Sequence, residues 1–467
     1  MKRFCVVSFL MLFTFYTKAQ QTEHINIGKK ITVFSKVLNE NRKLWIYTPD
    51  ITSLDKSAVK KYPVLYVLDG DAHFMSTVGI VQQLSQANGN GVLPEMIVVA
   101  IENTNRLRDL TPTMDKTGEA NKRNPFVNFL SAELIPYIDS NYNTASYKLL
   151  AGHSLGGLTA IDILANSPGL FNAYIAIDPS MWYENEIFLN HTIQKLPTQN
   201  LNRTRLFIGI ANTMYNGMTL SKLTNDHTAE TQHIRSIFKL DKVLKSSPNG
   251  LKYSRQYYEK ERHNTVPLLS IYDGLRFIFG YYHLDLGEKD FADSTQLVAL
   301  KIKNHYTNVS KEIGYKVSAP ESLINYFGYD ALFKMQYNKA EAMFALNMEN
   351  YPASSNVYDS YADFCLAKHD TANAITYYKK ALQLKDDATT RSKLNALTNQ
   401  GSYNITLTEL QKYAGVYMLE NYQISIKLEI RDGKLWSVVP GQADSELVPV
   451  SKDVFYCKRY SRLYNYI

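Results

Sequence analysis

Between Ile31 and Phe279, short runs of β-branched and aromatic residues alternate with stretches whose apolar positions recur every three to four residues. The runs ITVFSKV, KLWIYTP, PVLYVLDG, MIVVAIEN, YKLLAGHS, AYIAIDP and RLFIGIAN read as strands. Several are apolar at nearly every position, as a strand needs when helices cover both faces of a parallel sheet. Between two of them, NPFVNFLSAELIPYIDSNY (Asn124 to Tyr142) places Phe126, Phe129, Leu130, Leu134 and Ile135 at helical spacing. Strand and helix in alternation predict an α/β domain over residues 25–285.

Beyond it the pattern changes twice. Residues 286–320 lose the apolar strand signal and read as a linker. From Ile324 the chain matches itself at an offset of 34, pairing Phe327 with Tyr361, Gly328 with Ala362, Ala331 with Cys365, Ala340 with Ala374 and Phe344 with Tyr378. That is the tetratricopeptide period, so residues 321–400 are expected to form two helical repeats and a capping helix around Thr390 to Leu397. A plain pair of helical hairpins is the competing reading. Residues 401–467 then alternate polar and apolar positions, as in QISIKLEIRDGKLWSVV, with Asp432-Gly433 as a hairpin turn. They predict a small β module, incomplete or leaning on its neighbours.

A chain of 467 residues has room for such a division, one enzyme-sized domain included. Its 51 basic and 44 acidic residues leave a net charge of only +7, with no run of five or more Lys/Arg, which argues against nucleic acid as a partner. The start, MKRFCVVSFLMLFTFYTKAQ, joins Lys2 and Arg3 to an apolar run from Phe4 to Phe15 and then Thr17-Lys18-Ala19. It is expected to be a signal peptide over residues 1–19, cleaved after Ala19, with export to the periplasm or beyond. About 12 apolar residues fall short of the roughly 20 that span a membrane, so no span is expected in the mature chain. Cys365 and Cys457 would then be the only thiols. Two isolated cysteines build neither a disulfide framework nor a thiolate metal site.

Candidate chemistry centres on KLLAGHSLGGLTAIDIL (Lys148 to Leu164). Gly152-His153-Ser154-Leu155-Gly156 fits G-x-S-x-G between a predicted strand and a predicted helix, the context of a nucleophile elbow. The turn holds the Ser154 hydroxyl above the sheet while the helix N-terminus aims free N–H groups at the same spot. A serine needs a base, and a base needs an orienting carboxylate, here expected in the chain order Ser, acid, His. His263, in YYEKERHNTVPL, follows a strand-like run and precedes an amphipathic helix, so it is expected to be the base; His283 and His305 are the fallback. His153 should point away from the hydroxyl. The acid stays open. The strand RLFIGIA ends at Asn212, which is neutral, and Asp226 in the following loop is expected in its place, with Glu230 and then Asp178 as alternatives. Leu155 N–H, with Gly70 or Asp71 from VLDGDAHF, is expected to form the oxyanion hole. Asp69, Asp71 and His73 have metal-ligand chemistry, but nothing else clusters with them, and neither metal nor cofactor is expected.

These segments resemble the esterase family of the α/β-hydrolase superfamily that holds esterase D, enterochelin-type siderophore esterases, feruloyl esterases and mycolyltransferases. The likeness rests on YPVLYVLDGDAHF (Tyr62 to Phe74), VVAIENTNRLRDLTPT (Val98 to Thr113), AGHSLGGL (Ala151 to Leu158), AIDPSMWY (Ala176 to Tyr183) and RHNTVPL (Arg262 to Leu268). It implies an α/β-hydrolase sandwich with Ser154 as nucleophile, His263 as base and the Asp69 to Asp71 loop at the oxyanion. This chain has His-Asn-Thr where similar sequences often show His-Gly-Ser, and Asp178 where serine is frequent before Pro-Ser, which keeps the acid open. The expectation is an exported serine hydrolase cleaving carboxylic esters through an acyl-enzyme, on a siderophore ester or an acylated carbohydrate. Arg106, Arg108 and Trp182 are candidate substrate contacts, although the two arginines equally well pair with Asp109 or face solvent. An acyltransferase on the same scaffold, or a binding protein that holds a protein partner through the repeats, is the alternative.

Overall fold

The structure, a computed structural model, describes residues 25–49, 60–85, 91–112, 124–246, 249–398, 403, 405–419, 424–441, 443–451, 453–457 and 462–465. The expected signal segment, residues 1–19, lies outside them. Among the described residues, no helix is long and apolar enough to cross a membrane.

Eight strands form one sheet: β1 (Lys29–Ser35), β2 (Glu40–Tyr47), β3 (Tyr62–Val67), β4 (Ile97–Ile101), β5 (Thr144–His153), β6 (Ala173–Ile177), β7 (Arg205–Ala211) and β8 (Lys252–Tyr258). Their order is β1-β2-β4-β3-β5-β6-β7-β8. β2 runs antiparallel to both β1 and β4, and from β4 to β8 every pairing is parallel. Every residue of β3, β4, β6 and β7 is buried, as their apolar runs require, the charged Arg205 at the start of β7 included.

The helices of this part are α1 (Gly70–Ser85), α2 (Arg106–Leu110), α3 (Pro125–Phe129), α4 (Ile135–Asn141), α5 (Leu155–Asn166), α6 (Ile187–Lys195), α7 (Leu220–Leu223), α8 (Gln232–Ser246) and α9 (Val266–Ile278). α3 and α4 make up the helix expected over Asn124 to Tyr142, interrupted by a π turn at Leu130–Leu134. Pro136, which has no N–H to return to the preceding turn, accounts for the widening. Successive strand residues serve opposite faces. Val64, Tyr66, Leu150, Tyr174 and Ile208 pack with Phe126, Leu158, Phe188 and Ile237 of α3, α5, α6 and α8. Leu65, Val67, Leu149, Ile175 and Phe207 pack with Val78 and Val81 of α1 and Ile271 and Leu275 of α9. A core on each face of one mixed, mostly parallel sheet makes this an α/β fold.

The stretch expected as a linker, residues 286–320, carries two helices instead, α10 (Glu288–Ala292) and α11 (Leu297–Ile313). α11 buries Val298, Ala299, Ile302, Val309 and Ile313, a sparse stripe that its polar residues hid. Its Glu312 accepts hydrogen bonds from Arg205 at 2.8 Å and Lys252 at 2.7 Å, the first residues of β7 and β8. The helical segment therefore docks on the sheet edge where strands begin. It continues as α12 (Glu321–Phe333), α13 (Tyr337–Asn350), α14 (Ser355–Ala367), α15 (Thr371–Leu384) and α16 (Ala388–Thr398). α14 starts 34 residues after α12, and α15 starts 34 after α13. A Cβ on Gly328 would stand 2.5 Å from the Phe344 ring, so this glycine lets α12 and α13 meet. The end of the chain is an antiparallel meander, β9 (Gly415–Leu419), β10 (Ile424–Arg431), β11 (Lys434–Val438), β12 (Ser445–Ser451), β13 (Val454–Cys457) and β14 (Arg462–Asn465). Asp432 and Gly433, both at positive φ (51° and 74°), make the expected turn between β10 and β11.

Candidate active site

Along the C-terminal edge of the sheet, three non-glycine residues that follow strands take positive φ: Asp69 (52°) after β3, Ser154 (59°) after β5 and Asp178 (41°) after β6. Backbone conformations of this kind cost about 1–3 kcal/mol each and gather where geometry is held for function. Ser154 is at ψ −114° with α5 starting at the next residue. A Cβ on Gly152 would lie 2.3 Å from the Gly156 carbonyl oxygen, whereas one on Gly156 would lie 3.4 Å from Asp69 Oδ2 and Leu68 Cβ. The first glycine of the motif is thus enforced by the turn, and the second is not enforced to the same degree. We predict that Gly152→Ala lowers the thermal midpoint by more than 5 °C and any catalysis that depends on the Ser154 turn by at least about a hundredfold. Gly156→Ala should cost less than half that midpoint shift, as differential scanning calorimetry would test.

The Ser154 N–H donates to Ile177 O (2.9 Å), the Ser180 N–H donates to Ser154 O (3.1 Å), and the Ser154 and Ser180 hydroxyl oxygens are 3.1 Å apart. Gly157 sits within 3.0 Å of Pro179 by its would-be Cβ, so α5 lies tight on the loop after β6. That loop carries Asp178, fully buried. Its Oδ1 accepts the Ala211 N–H at 3.0 Å, and its Oδ2 faces His263 Nδ1 at 2.6 Å and His233 Nε2 at 2.9 Å. An ionised carboxylate only accepts, so both ring nitrogens carry protons toward it, and the neutral form of His263 is thereby the tautomer whose lone pair is on Nε2. Burial pushes the Asp178 carboxyl up, but the donors from His233, His263 and Ala211 outweigh it and hold it well below the usual carboxylate range.

The carboxylate beside His263 is that of Asp178, not of Asp226. Asp226 Oδ1 is taken by the Thr228 N–H and the hydroxyls of Thr228 and Thr231, while Oδ2 accepts from Tyr215. It caps its own loop, as a short polar side chain does in an Asx turn. Asn212 bridges the loops after β7 and β8, donating to Glu259 O and accepting from Met214 N. His305 donates to Tyr282 O, apart from this cluster.

Two neighbours of His263 and one of Ser154 had no role expected of them from the sequence. His153, expected only to point away from the serine hydroxyl, packs its ring 4.5 Å from that of His263 and donates from Nε2 to His263 O at 2.8 Å. Burial, then the nearby charge of His263 and His73, lowers its pKa to about 4, so it stays a neutral prop. His233 comes from a helix start with no motif around it, and Ser180, in the AIDPSMWY segment, lies in the loop after β6. Among the described residues, Asp178, His233 and His263 also bring metal-capable atoms within 4.8 Å of one another. Asp69, weighed with Asp71 and His73 as a metal group, is committed elsewhere. Its carboxylate accepts from Asn103 Nδ2 (2.5 Å), Arg106 Nε (2.6 Å) and Arg106 Nη2 (3.0 Å). Arg106 also reaches His153 O at 3.3 Å, clamping the loop after β3 to the end of β5. Arg108 pairs with Glu40 and Asp109, as the second of its two readings had it. Leu155 and Gly70 open α5 and α1, whose first N–H groups have no partner within their helices. Asp71 follows Gly70 in α1, and a Cβ on Gly70 would strike Ile101 N at 2.6 Å.

Residues 35–230 match the protein family described as "Putative esterase", a span that includes Ser154 and Asp178 and ends before His233 and His263. An uncharacterized protein of Bacillus subtilis, YbbA, is 24% identical over 243 residues, 49% of this chain and 92% of that protein. The ferri-bacillibactin esterase BesA of the same organism is 29% identical over 173 residues, 33% of this chain and 59% of the esterase, so less than two thirds of that relative is covered. Among solved structures, an IroE-like serine hydrolase from Shewanella oneidensis superposes with a TM-score of 0.55 at 27% identity, over 69% of this chain and 99% of its own. Together, the family match and the siderophore-esterase relative support a carboxylic ester hydrolase.

Proposed function

We propose that the chain hydrolyses carboxylic esters through an acyl-enzyme, with Ser154 as nucleophile, His263 as base and Asp178 as the residue that orients it. The observation that carries this reading is the 2.6 Å contact between Asp178 and His263 Nδ1, on the strand neighbouring the Ser154 turn. Ser154 Oγ attacks the ester carbonyl and passes its proton to His263 Nε2. Leu155 N–H, with Gly70 or Asp71 N–H, holds the oxyanion. The alcohol leaves with the proton from His263, and water repeats the sequence to release the acid. The relatives favour a siderophore ester as substrate. Exposed apolar side chains within five positions of site residues, Leu107 beside Arg106, Trp182 two past Ser180 and Leu268 five past His263, suit a substrate with aromatic or apolar parts. Export after cleavage at Ala19 belongs to the same reading. So do tetratricopeptide-like repeats over 321–400, supported by the 34-residue recurrence of helix starts and able to hold a protein partner. A fluorophosphonate probe tests the core of it: one equivalent should attach, and peptide mass mapping should locate it on Ser154. Absence of labelling in a preparation that also fails to turn over p-nitrophenyl esters would remove the reading.

A further inference from the structure

Asp178 Oδ2 receives two imidazoles, and the mechanism above uses only one. His233 is the second residue of α8, a 15-residue helix anchored by the buried Ile234, Ile237, Leu240 and Leu244. Its backbone carbonyl accepts the Ser236 hydroxyl at 2.7 Å, and its ring meets that of His263 edge-on at 5.2 Å and 88°. The helix therefore presents Nε2 to the carboxylate from a fixed direction, 2.9 Å from the same oxygen that His263 Nδ1 contacts at 2.6 Å. With Ala211 N–H on Oδ1, the carboxylate is held from three sides, by β7, α8 and the loop after β8.

We infer that His233 is a positioning residue for the hydrolysis, a second donor that locks the rotation and the charge of Asp178 while His263 gains and loses a proton. A carboxylate held only by His263 and Ala211 can pivot when the imidazolium forms, and each pivot would swing Nε2 away from the position that the esterase reading requires of it. The donor from α8 removes that freedom. It also draws off part of the charge that would otherwise favour protonated His263. Among the described residues, His263 also meets the neutral ring of His153, from the end of β5, and is preceded in sequence by Arg262, whose guanidinium points to the carbonyls of Asn212 and Met214. This inference rests on the esterase reading, so Ser154→Ala is measured alongside.

The test is steady-state hydrolysis of p-nitrophenyl butyrate across pH 5–9 by full-length wild type, His233→Phe and His233→Gln. Phenylalanine fills the space without a donor. The glutamine amide reaches about as far as Nε2. His233→Phe should lose about tenfold to a hundredfold in kcat with KM within about twofold, the usual worth of a hydrogen bond to a charged group. The acid limb of its kcat/KM profile should move to higher pH, because Asp178 with one donor fewer favours the imidazolium. His233→Gln should return kcat to within about threefold of wild type and restore the acid limb. If the phenyl ring unsettles α8, His233→Asn, polar but too short to reach Oδ2, takes its place. Wild-type kinetics in His233→Phe would overturn the inference, and so would equal losses in the Phe and Gln variants. Stoichiometric zinc in wild-type protein by elemental analysis, lost with activity in the His233 variants, would overturn it in favour of a metal site. Should Ser154→Ala hydrolyse the ester as fast as wild type, the esterase reading itself falls; should it be inert while the His233 variants are normal, only the role of His233 does.

Discussion

Ser154→Ala abolishes ester hydrolysis to within assay background, a loss of about four orders of magnitude or more in kcat/KM, while the protein stays folded. The size follows from the division of labour in a hydroxyl nucleophile system. Without Oγ no acyl-enzyme forms, and the helix N-termini at Leu155 and Gly70 retain only the modest rate gain of polarising a carbonyl toward bulk water. Folding should survive because the hydroxyl's contact is with one other hydroxyl, Ser180 Oγ. A companion variant separates chemistry from strain. Ser154 sits at φ 59° and ψ −114°, a conformation glycine takes freely and other residues do not. Ser154→Gly should therefore be as inactive as the alanine variant and more heat-stable than wild type by a few degrees. Relief of strain worth about 1–3 kcal/mol exceeds the unfolded-state entropy of a new glycine, about 0.4–1 kcal/mol. Thermal midpoints by calorimetry and rates with a p-nitrophenyl ester decide both points. Residual turnover in either variant above about 1% of wild type would remove Ser154 from the nucleophile's role, and a lower midpoint for the glycine variant would mean the turn stores no strain.

Much of this scaffold is written in the order of apolar residues. Strands such as PVLYV and RLFIGIA are buried on both faces, and an unbroken apolar run has few other uses at that length. Ser154 and His263 were legible for a related reason: each lies in the short polar gap just past a strand, where side chains stand at the C-terminal edge. Which carboxylate meets His263 was not legible, because β6 lies between β5 and β7 and a carboxylate after either β6 or β7 can reach the same imidazole. Sequence cannot tell which loop returns. Asp226 had a local signal against it in Thr228 and Thr231, since an aspartate two residues before a threonine readily closes on its own backbone. His233 had no signal at all. Its role depends on the rotation of α8 against the sheet, set by Ile234 and Ile237, so only coordinates reveal it. The docking of α11 on the strand-start edge, opposite Ser154, was hidden likewise, because Glu312 meets Arg205 and Lys252 across more than 50 residues of chain.

Asp178→Asn lowers kcat/KM by about four orders of magnitude near neutral pH, whereas Asp226→Asn stays within about threefold of wild type. The asymmetry is geometric. At Asp178 the amide replaces the one carboxylate that both imidazoles contact, so nothing neutralises the imidazolium formed as Ser154 attacks, and the amide nitrogen can turn toward Nδ1 and impose the wrong tautomer. At Asp226 the amide oxygen still accepts from Thr228 and Thr231, and the loop it caps can keep its shape. Stability gives a second, independent readout. The folded Asp178 carboxyl titrates below its unfolded value, so its contribution is complete above the ordinary carboxylate pKa of about 4 and disappears as pH falls through the lower folded value. The stability gap between wild type and Asp178→Asn should therefore be widest at pH 6–8 and should narrow below about pH 4, which chemical denaturation at stepped pH would measure. Equal kinetics for the two variants, or a larger loss at Asp226, would return the acid to the loop after β7. A stability gap that is flat with pH would mean that the His233 and His263 donors do not favour the charged carboxylate over its protonated form.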